Sequence, residues 1–336
     1  VTPPVRAALA MAPGVAAKIF PASERARLAP EVELLVSPPL EAFDSAQARA
    51  VLADVEVLIT SWGCAEIDEE VLDAAPALRA IVHAGGSVKQ HLTDAVWRRG
   101  IVVSSATTAN AVPVAEYTLA MILLANKRVL DSSRLLTRTH RFDLDADLEA
   151  DTGNYGKRVG LVGASTIGRR VIELLRPFDL EIEVADPFLT AAEAVALGVK
   201  RSELDELIAS SDVISLHAPA LSQTHHLIDR RRIGLIKPGA TLINTARGSL
   251  VDQRALTDRL ATGDIYAILD VTDPWIPAPG DRLYDLPNVF LTPHIAGSLG
   301  TELQRLAATA IAEAKRIGAC LPPRHPIVID DLTRIA

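Results

Sequence analysis

Short runs of apolar and β-branched residues alternate with helix-forming stretches twice along this chain, and that rhythm limits the fold more than any other feature. The first series has runs at residues 5–11, 32–36, 55–60, 78–83 and 101–104. The second begins at Lys157, with runs at 159–162, 182–185, 213–216, 241–244, 265–269 and 289–291. Alternation of this kind indicates βαβ units and mainly parallel sheets, since parallel neighbours need a crossover connection between them. Six strands in the second series are enough for a complete Rossmann domain. The length, 336 residues, suits two lobes at ~150 residues each. A long helix is expected over residues 114–130, with Pro113 in its first turn, and a final amphipathic helix over 301–317. The acidic segment containing Asp143, Asp145, Asp147, Glu149 and Asp151 reads as a solvated connection between the two series.

Composition narrows the partners. Hydrophobic residues make up 49% of the chain and charged residues 23%, as in globular proteins with sizeable cores. The net charge of −8 gives no overall positive field for nucleic acid or an anionic membrane, so an anionic small molecule needs a local basic site. Cys64 and Cys320 have no metal-ligand spacing and are too few for a disulfide framework, which points to a reducing compartment, by default the cytoplasm. The longest uninterrupted apolar run, residues 119–125, is far below the ~18 that suggest a membrane span. Arg6 and residues 7–12 imitate a signal peptide, but the Pro13-Gly14 break makes a first strand and its loop the better reading. His83, His91, His140, His225, His226 and His325 show no metal spacing, so no metal is expected.

One turn carries recognisable chemistry. The apolar strand at 159–162 runs directly into Gly163-Ala164-Ser165-Thr166-Ile167-Gly168 and then a helix, a G-x-S-x-x-G form of the dinucleotide fingerprint. In that fingerprint the first glycine permits the tight turn, the second position lets backbone approach a pyrophosphate, and the third lets helix pack against strand. The anion then meets the free N–H groups of the helix. Asp186 closes the next strand 23 residues after Gly163, near the ~20 expected of a carboxylate that binds the adenosine ribose hydroxyls. It would repel the 2′-phosphate of NADP, and Pro187 and Phe188 offer no basic group to hold that phosphate, so NAD is favoured. Asp before Pro also serves as a turn cap, and that reading stands beside the first.

Several further motifs, taken in order, resemble the D-isomer-specific 2-hydroxyacid dehydrogenase family. They are Asn110-Ala111-Val112-Pro113-Val114-Ala115-Glu116, Ser215-Leu216-His217-Ala218-Pro219, Ile243-Asn244-Thr245-Ala246-Arg247-Gly248, Leu269-Asp270-Val271 and Thr292-Pro293-His294-Ile295-Ala296-Gly297. The resemblance implies two doubly wound parallel-sheet lobes. A Rossmann NAD-binding domain, residues 109–301, would be inserted into a discontinuous flavodoxin-like substrate domain, residues 1–108 and 302–336, with two helices connecting them. It implies hydride transfer between NAD and a small 2-hydroxy or 2-keto acid. Arg247 would grip the substrate carboxylate through its planar fork and stabilise the developing oxyanion. His294 would give or take the proton. The resemblance also assigns Asp270 to the nicotinamide carboxamide, Gly86 and Ser87 backbone N–H groups to the substrate carboxylate, and His217, His294 and Gly297 to the cofactor. It suggests a homodimer through the apolar helix near residues 115–125. Singly, each of these residues is an ordinary ion pair, cap or core hydrogen bond, and His217 before Pro219 also reads as a backbone cap, against which the resemblance favours cofactor contact; their joint order is what points to a site.

Two places depart from the family pattern. The catalytic His usually has a Glu partner, commonly five residues after the Asp of the Leu-Asp-Val strand, and here that place is Trp275. Asp273 is the nearest carboxylate in the loop. After Ala84, Gly85-Gly86-Ser87-Val88-Lys89-Gln90 replaces the usual Gly-Val-Asp-Asn type of sequence, and Lys89 is either an extra cation for a phosphorylated or dicarboxylic substrate or a solvated lysine. Two functions therefore stand: a working dehydrogenase, favoured by Arg247 with His294, and an NAD-binding regulatory or scaffold protein on the same fold, favoured by Trp275.

Overall fold

The computed structural model describes residues 3–36, 38–141 and 152–333; the acidic residues Asp143, Asp145, Asp147, Glu149 and Asp151 lie outside the described residues. The chain divides into two compact units, Val1–Ala111 with Ser298–Ala336, and Val112–Gly297.

The first unit holds a parallel sheet of β1 (Val5–Ala10), β2 (Val32–Leu34), β3 (Val57–Thr60), β4 (Ala80–His83) and β5 (Val102–Ser105), in the order β2-β1-β3-β4-β5. This is the flavodoxin-like order. Every residue of β3 and β4 is buried, because helices cover both faces of a parallel sheet. The period-2 alternation of a strand sorts the core: Leu9, Ile59 and Val82 face one layer, and Ala8, Leu58 and Ile81 the other. Helix Leu303–Gly318, from the far end of the sequence, presents Leu306, Ala310 and Ala314 to the first layer. The register aligns Ala10, Thr60, His83 and Ser105 along the carboxyl edge.

The second unit holds β6 (Arg158–Val162), β7 (Glu181–Ala185), β8 (Lys200–Arg201), β9 (Val213–Leu216), β10 (Thr241–Asn244), β11 (Tyr266–Leu269) and β12 (Val289–Leu291), in the order β12-β11-β10-β9-β6-β7-β8. All neighbours are parallel. Five of the six expected strands together with β8 form the Rossmann order β8-β7-β6-β9-β10-β11, and β12 extends it; β8 has no apolar run to reveal it, being a Lys-Arg pair at the edge. The strand order reverses at β6, so the crevice beyond its carboxyl end is where ligands of such sheets bind. The register places Val162, Ala185, Leu216, Asn244, Leu269 and Leu291 level with one another. The loops that follow these residues therefore share one edge.

The long helix starts earlier than its periodicity suggests. It spans Thr107–Asn126, so Pro113 lies inside it and not in its first turn, and a second helix, Val129–Thr139, follows. The Ser105 hydroxyl receives the Thr107 amide at 3.1 Å, and buried Ala109 and Ala111 hold the added turns, so packing overrides the weak helix propensity of this polar stretch. By length and composition alone this helix is able to cross a membrane. Here its Ala109 belongs to the first unit's core, and its Ala115, Ile122 and Ala125 to the second's.

Candidate active site

Beyond β6, Gly163 has φ +103°, where a side chain is strained, and a Cβ there would lie 2.8 Å from the Ala218 nitrogen. Ser165, at the middle position of the fingerprint, caps helix Thr166–Leu175: its Oγ accepts from the Gly168 amide at 3.4 Å. A Cβ on Gly168 would sit 2.2 Å from the Gly163 carbonyl oxygen. The two glycines are thus required by the tight turn and by the packing of helix on strand, the small Ser165 side chain at the middle position is spent on the cap, and the first helical turn leaves the Thr166 and Ile167 amides without intrahelical acceptors. These residues fit a dinucleotide.

Asp186, directly after β7, accepts from the Ala164 amide at 2.6 Å and the Phe188 amide at 2.7 Å, so its carboxylate does cap its own turn and also fastens the glycine turn. The nearby cation, Arg169, is engaged by the Ala164 carbonyl and by Glu193. His217, after β9, is almost wholly buried against Ser215 Oγ at 3.0 Å, and burial pushes its imidazole down to about 4, which keeps it neutral.

Arg247 follows β10. Asn244, the last residue of that strand, shapes the loop by donating to the Arg247 carbonyl at 2.8 Å and accepting from the Ala246 amide at 3.0 Å. The Arg247 side chain is partly buried, with Nη1 donating to the Ala246 carbonyl at 2.7 Å, and among the described residues it has no carboxylate partner. Burial holds its pKa below the ordinary guanidinium value. A cation in such a place is unstable unless an anion arrives. Gly248 fixes the neighbouring loop, since a Cβ there would lie 2.1 Å from the Thr272 carbonyl oxygen.

Asp270 follows β11 and is 2% exposed. Its carboxylate accepts from Thr292 Oγ1 at 2.6 Å, the Ile295 amide at 2.8 Å and the Ala296 amide at 3.0 Å, which uses most of its acceptor capacity. The Asp270 carbonyl takes the His294 amide at 3.0 Å. Asp270 is therefore the post on which the His294 loop is hung, and that loop needs a post because His294 has φ +55°. Tyr117 braces it through a 2.8 Å contact between its hydroxyl and Thr292 Oγ1.

The His294 ring stacks on Trp275, with centroids 4.4 Å apart and planes inclined by 26°. Its Nδ1 is buried with no hydrogen-bond partner among the described residues. Burial lowers its pKa, Asp270 opposes that shift, and Arg247 adds to it. Asp273 is exposed, its amide bonds to Gln253 Oε1 at 2.8 Å, and no hydrogen bond joins its carboxylate to His294. Gly297 ends the second unit.

In the first unit, Gly86 and Ser87 lie in a loop in which the Ala84, Gly85 and Gly86 carbonyls are taken. Ser61 Oγ donates to the Ala84 carbonyl at 2.7 Å, Ser105 Oγ lies 3.2 Å and 3.1 Å from the Gly85 and Gly86 carbonyls, and Thr107 Oγ1 donates to Gly86 at 2.7 Å. Because N–H and C=O point oppositely across a trans peptide, the Gly85, Gly86 and Ser87 amides face away from these hydroxyls. Among the described residues those amides have no acceptor. Free amides are groups from which an anion can accept. Beneath the loop, Thr60 Oγ1 joins His83 Nδ1 (3.0 Å) and His91 Nε2 (3.1 Å), and burial pushes the two imidazoles down to about 3 and about 4. Nothing local marks Asn244, Thr292, Tyr117, Ser105 or Thr107 for these supporting roles; only their positions at strand ends or on the long helix hint at them.

Two parallel-sheet units, one carrying a glycine turn at its switch point, define a dinucleotide-binding α/β protein of Rossmann type. Residues 119–296 match the NAD binding domain described as D-isomer specific 2-hydroxyacid dehydrogenase, and the chain belongs to that family. A D-3-phosphoglycerate dehydrogenase of Mycobacterium leprae is 34% identical over 277 residues, 82% of this chain and 51% of the relative. A glyoxylate reductase of Thermofilum pendens is 36% identical over 250 residues, 73% of each chain. The structure of the TT0316 protein from Thermus thermophilus superimposes with a TM-score of 0.73 at 30% identity, over 96% of this chain and 100% of that one. A phosphoglycerate oxidoreductase of Rhizobium etli shares the fold, with a TM-score of 0.80 at 23% identity over 99% and 98% of the two chains. The chain spans about half the length of the phosphoglycerate dehydrogenases it matches. NAD is the cofactor that the family assignment and the turn support together.

Proposed function

We propose that this chain is an NAD-dependent oxidoreductase acting between small 2-hydroxy and 2-keto acids. The observation that carries the reading is Arg247, a partly buried cation with no anionic side chain beside it among the described residues, next to a half-buried imidazole. Bound NADH supplies the hydride. Arg247 holds the substrate carboxylate through its fork and keeps the adjacent carbonyl in one orientation. As that carbonyl oxygen gains charge, the guanidinium stabilises it and His294 Nε2 gives it a proton; oxidation of the hydroxyacid runs through the same groups in reverse.

For the cofactor, Gly163, Ser165, Thr166, Ile167 and Gly168 form the pyrophosphate turn, Asp186 takes the ribose hydroxyls, and His217, Asp270, His294 and Gly297 line the carboxyl edge. In the first unit, the amides of Gly86 and Ser87 are the groups suited to an anionic substrate. A homodimer through helix Thr107–Asn126, and a cytoplasmic location in keeping with two free cysteines, belong to the same proposal.

Oxidation of NADH, followed by its absorbance over a panel containing glyoxylate, hydroxypyruvate, phosphohydroxypyruvate and larger 2-keto acids, tests the reading. Turnover with at least one acid, abolished by Arg247→Met, is expected. NADH binding without turnover of any acid would instead support the regulatory reading, which the stacked Trp275 in place of a carboxylate favours.

A further inference from the structure

Among the described residues His294 has no carboxylate at its Nδ1, yet one face of its ring is covered by the Trp275 indole. The Trp275 backbone is held in place, while the residue otherwise remains 63% exposed. Thr272 Oγ1 donates to the Trp275 carbonyl at 3.0 Å, and Thr272 itself is packed against Gly248. A ring separation of 4.4 Å is well inside the ~6 Å over which an aromatic face attracts a cation.

The other charged or titratable groups around His294 do not fill this role. Asp270, after β11, attracts the imidazolium, but three donors already share its carboxylate. Arg247, after β10, repels it. Tyr117, on the long helix, is spent on Thr292, and its own pKa is raised by burial, so it stays neutral. Asp273, on the Trp275 loop, faces solvent.

We infer that Trp275 is the positioning residue for His294, its indole face meeting the imidazolium in place of a carboxylate. The stack fixes the plane of the imidazole, and the negative π-face favours the charged form without bringing a second charge into the site. The consequence for turnover rests on the function proposed above; the pairing itself does not.

A merely steric Trp275 and a π partner predict opposite signs. An apolar cover desolvates the ring and disfavours its charge, so removing a cover raises the pKa. Removing a π partner lowers it.

The test is an NMR titration of the His294 Cε1–H in the full chain without added cofactor, with the signal assigned by its loss in His294→Gln. Trp275→Leu, which keeps apolar bulk, is expected to lower the His294 pKa by about half a unit to one unit, and Trp275→Phe by less. Tetrafluorotryptophan incorporated at the three tryptophans, of which Trp62 and Trp97 lie in the other unit, should lower it with the ring shape retained. An unchanged or raised pKa in both the Leu variant and the fluorinated protein would overturn the inference. If the pKa falls as expected while no keto acid is turned over, the pairing stands and the dehydrogenase reading fails. Turnover with no fall in pKa leaves the dehydrogenase and removes the pairing.

Discussion

Replacing Gly168 by Ala places one methyl group where the glycine turn is tightest. Its Cβ would stand 2.2 Å from the Gly163 oxygen and 3.2 Å from the Gly163 carbon, whereas ordinary contact begins near 3.4 Å. Both obstacles are backbone, so no side chain can swing aside and the helix must retreat by more than an ångström. Alanine's better helix propensity recovers only about 1 kcal/mol. The displacement would disturb the buried face formed by Val171, Ile172 and Leu175, and overpacking of that kind costs about 1–3 kcal/mol. For a unit of this size the net loss, up to about 2 kcal/mol, should lower Tm by up to roughly 8 °C. Binding should suffer more, because the Thr166 and Ile167 amides move relative to a hydrogen-bond window only about 0.5 Å wide. Loss of even one bond to a charged group, about 1.5–3 kcal/mol, raises the NADH Kd at least about tenfold. Thermal unfolding and NADH fluorescence titration measure the two effects. Gly234→Ala is the control: this helical glycine has nothing within 4 Å of its Cβ position, so that variant should be unchanged or stabilised by up to about 1 kcal/mol. A Gly168→Ala protein with wild-type Tm and NADH affinity would refute the reasoning.

Arg247→Lys keeps the charge but loses the fork, so kcat/KM for the keto acid should fall about 10- to 100-fold while NADH affinity stays within about twofold; an unchanged kcat/KM removes Arg247 from the substrate site. NADH should bind at least about tenfold more tightly than NADPH, because the Asp186 carboxylate repels a 2′-phosphate, and equal affinities in a titration would contradict the ribose assignment. Reduction needs protonated His294, whose pKa is lowered by burial, so the alkaline limb of the pH–rate profile should fall below the ordinary imidazole value. Trp275→Glu should raise that limb by about one unit through the added opposite charge, and Asp273→Asn should leave it in place; a limb that moves only in the Asp273 variant would make Asp273 the partner. Thr107→Val removes one of the hydroxyls on the Gly86 carbonyl and should raise the keto-acid KM several-fold, on the order of 1 kcal/mol, with NADH affinity unchanged; equal KM values would show that the loop needs no such fastening.

Residue order alone determined every strand but the Lys200–Arg201 pair, because a buried parallel strand must be a short apolar run and its crossover must be long, both of which are local properties. It also identified the glycine turn, and it placed Arg247, Asp270 and His294 just after strand ends, since each follows its run within a few residues. The strand orders of the two sheets were decided only in three dimensions, as was the Lys200–Arg201 edge strand, which depends on β7 as a partner rather than on its own composition. The start of helix Thr107–Asn126 ahead of Pro113 also required tertiary packing, which outweighs local propensity. The same holds at the site. The engagement of Asp270 by Thr292, Ile295 and Ala296 and the fastening of the Ala84, Gly85 and Gly86 carbonyls by Ser61, Ser105 and Thr107 join residues that sequence spacing does not pair, and the spacing that put Trp275 in the place of a partner for His294 did not reveal that the two rings stack. Such contacts arise because the parallel register brings the loops after successive strands to one edge, and a distance of a few ångströms between distant residues is written in that register and not in any local pattern.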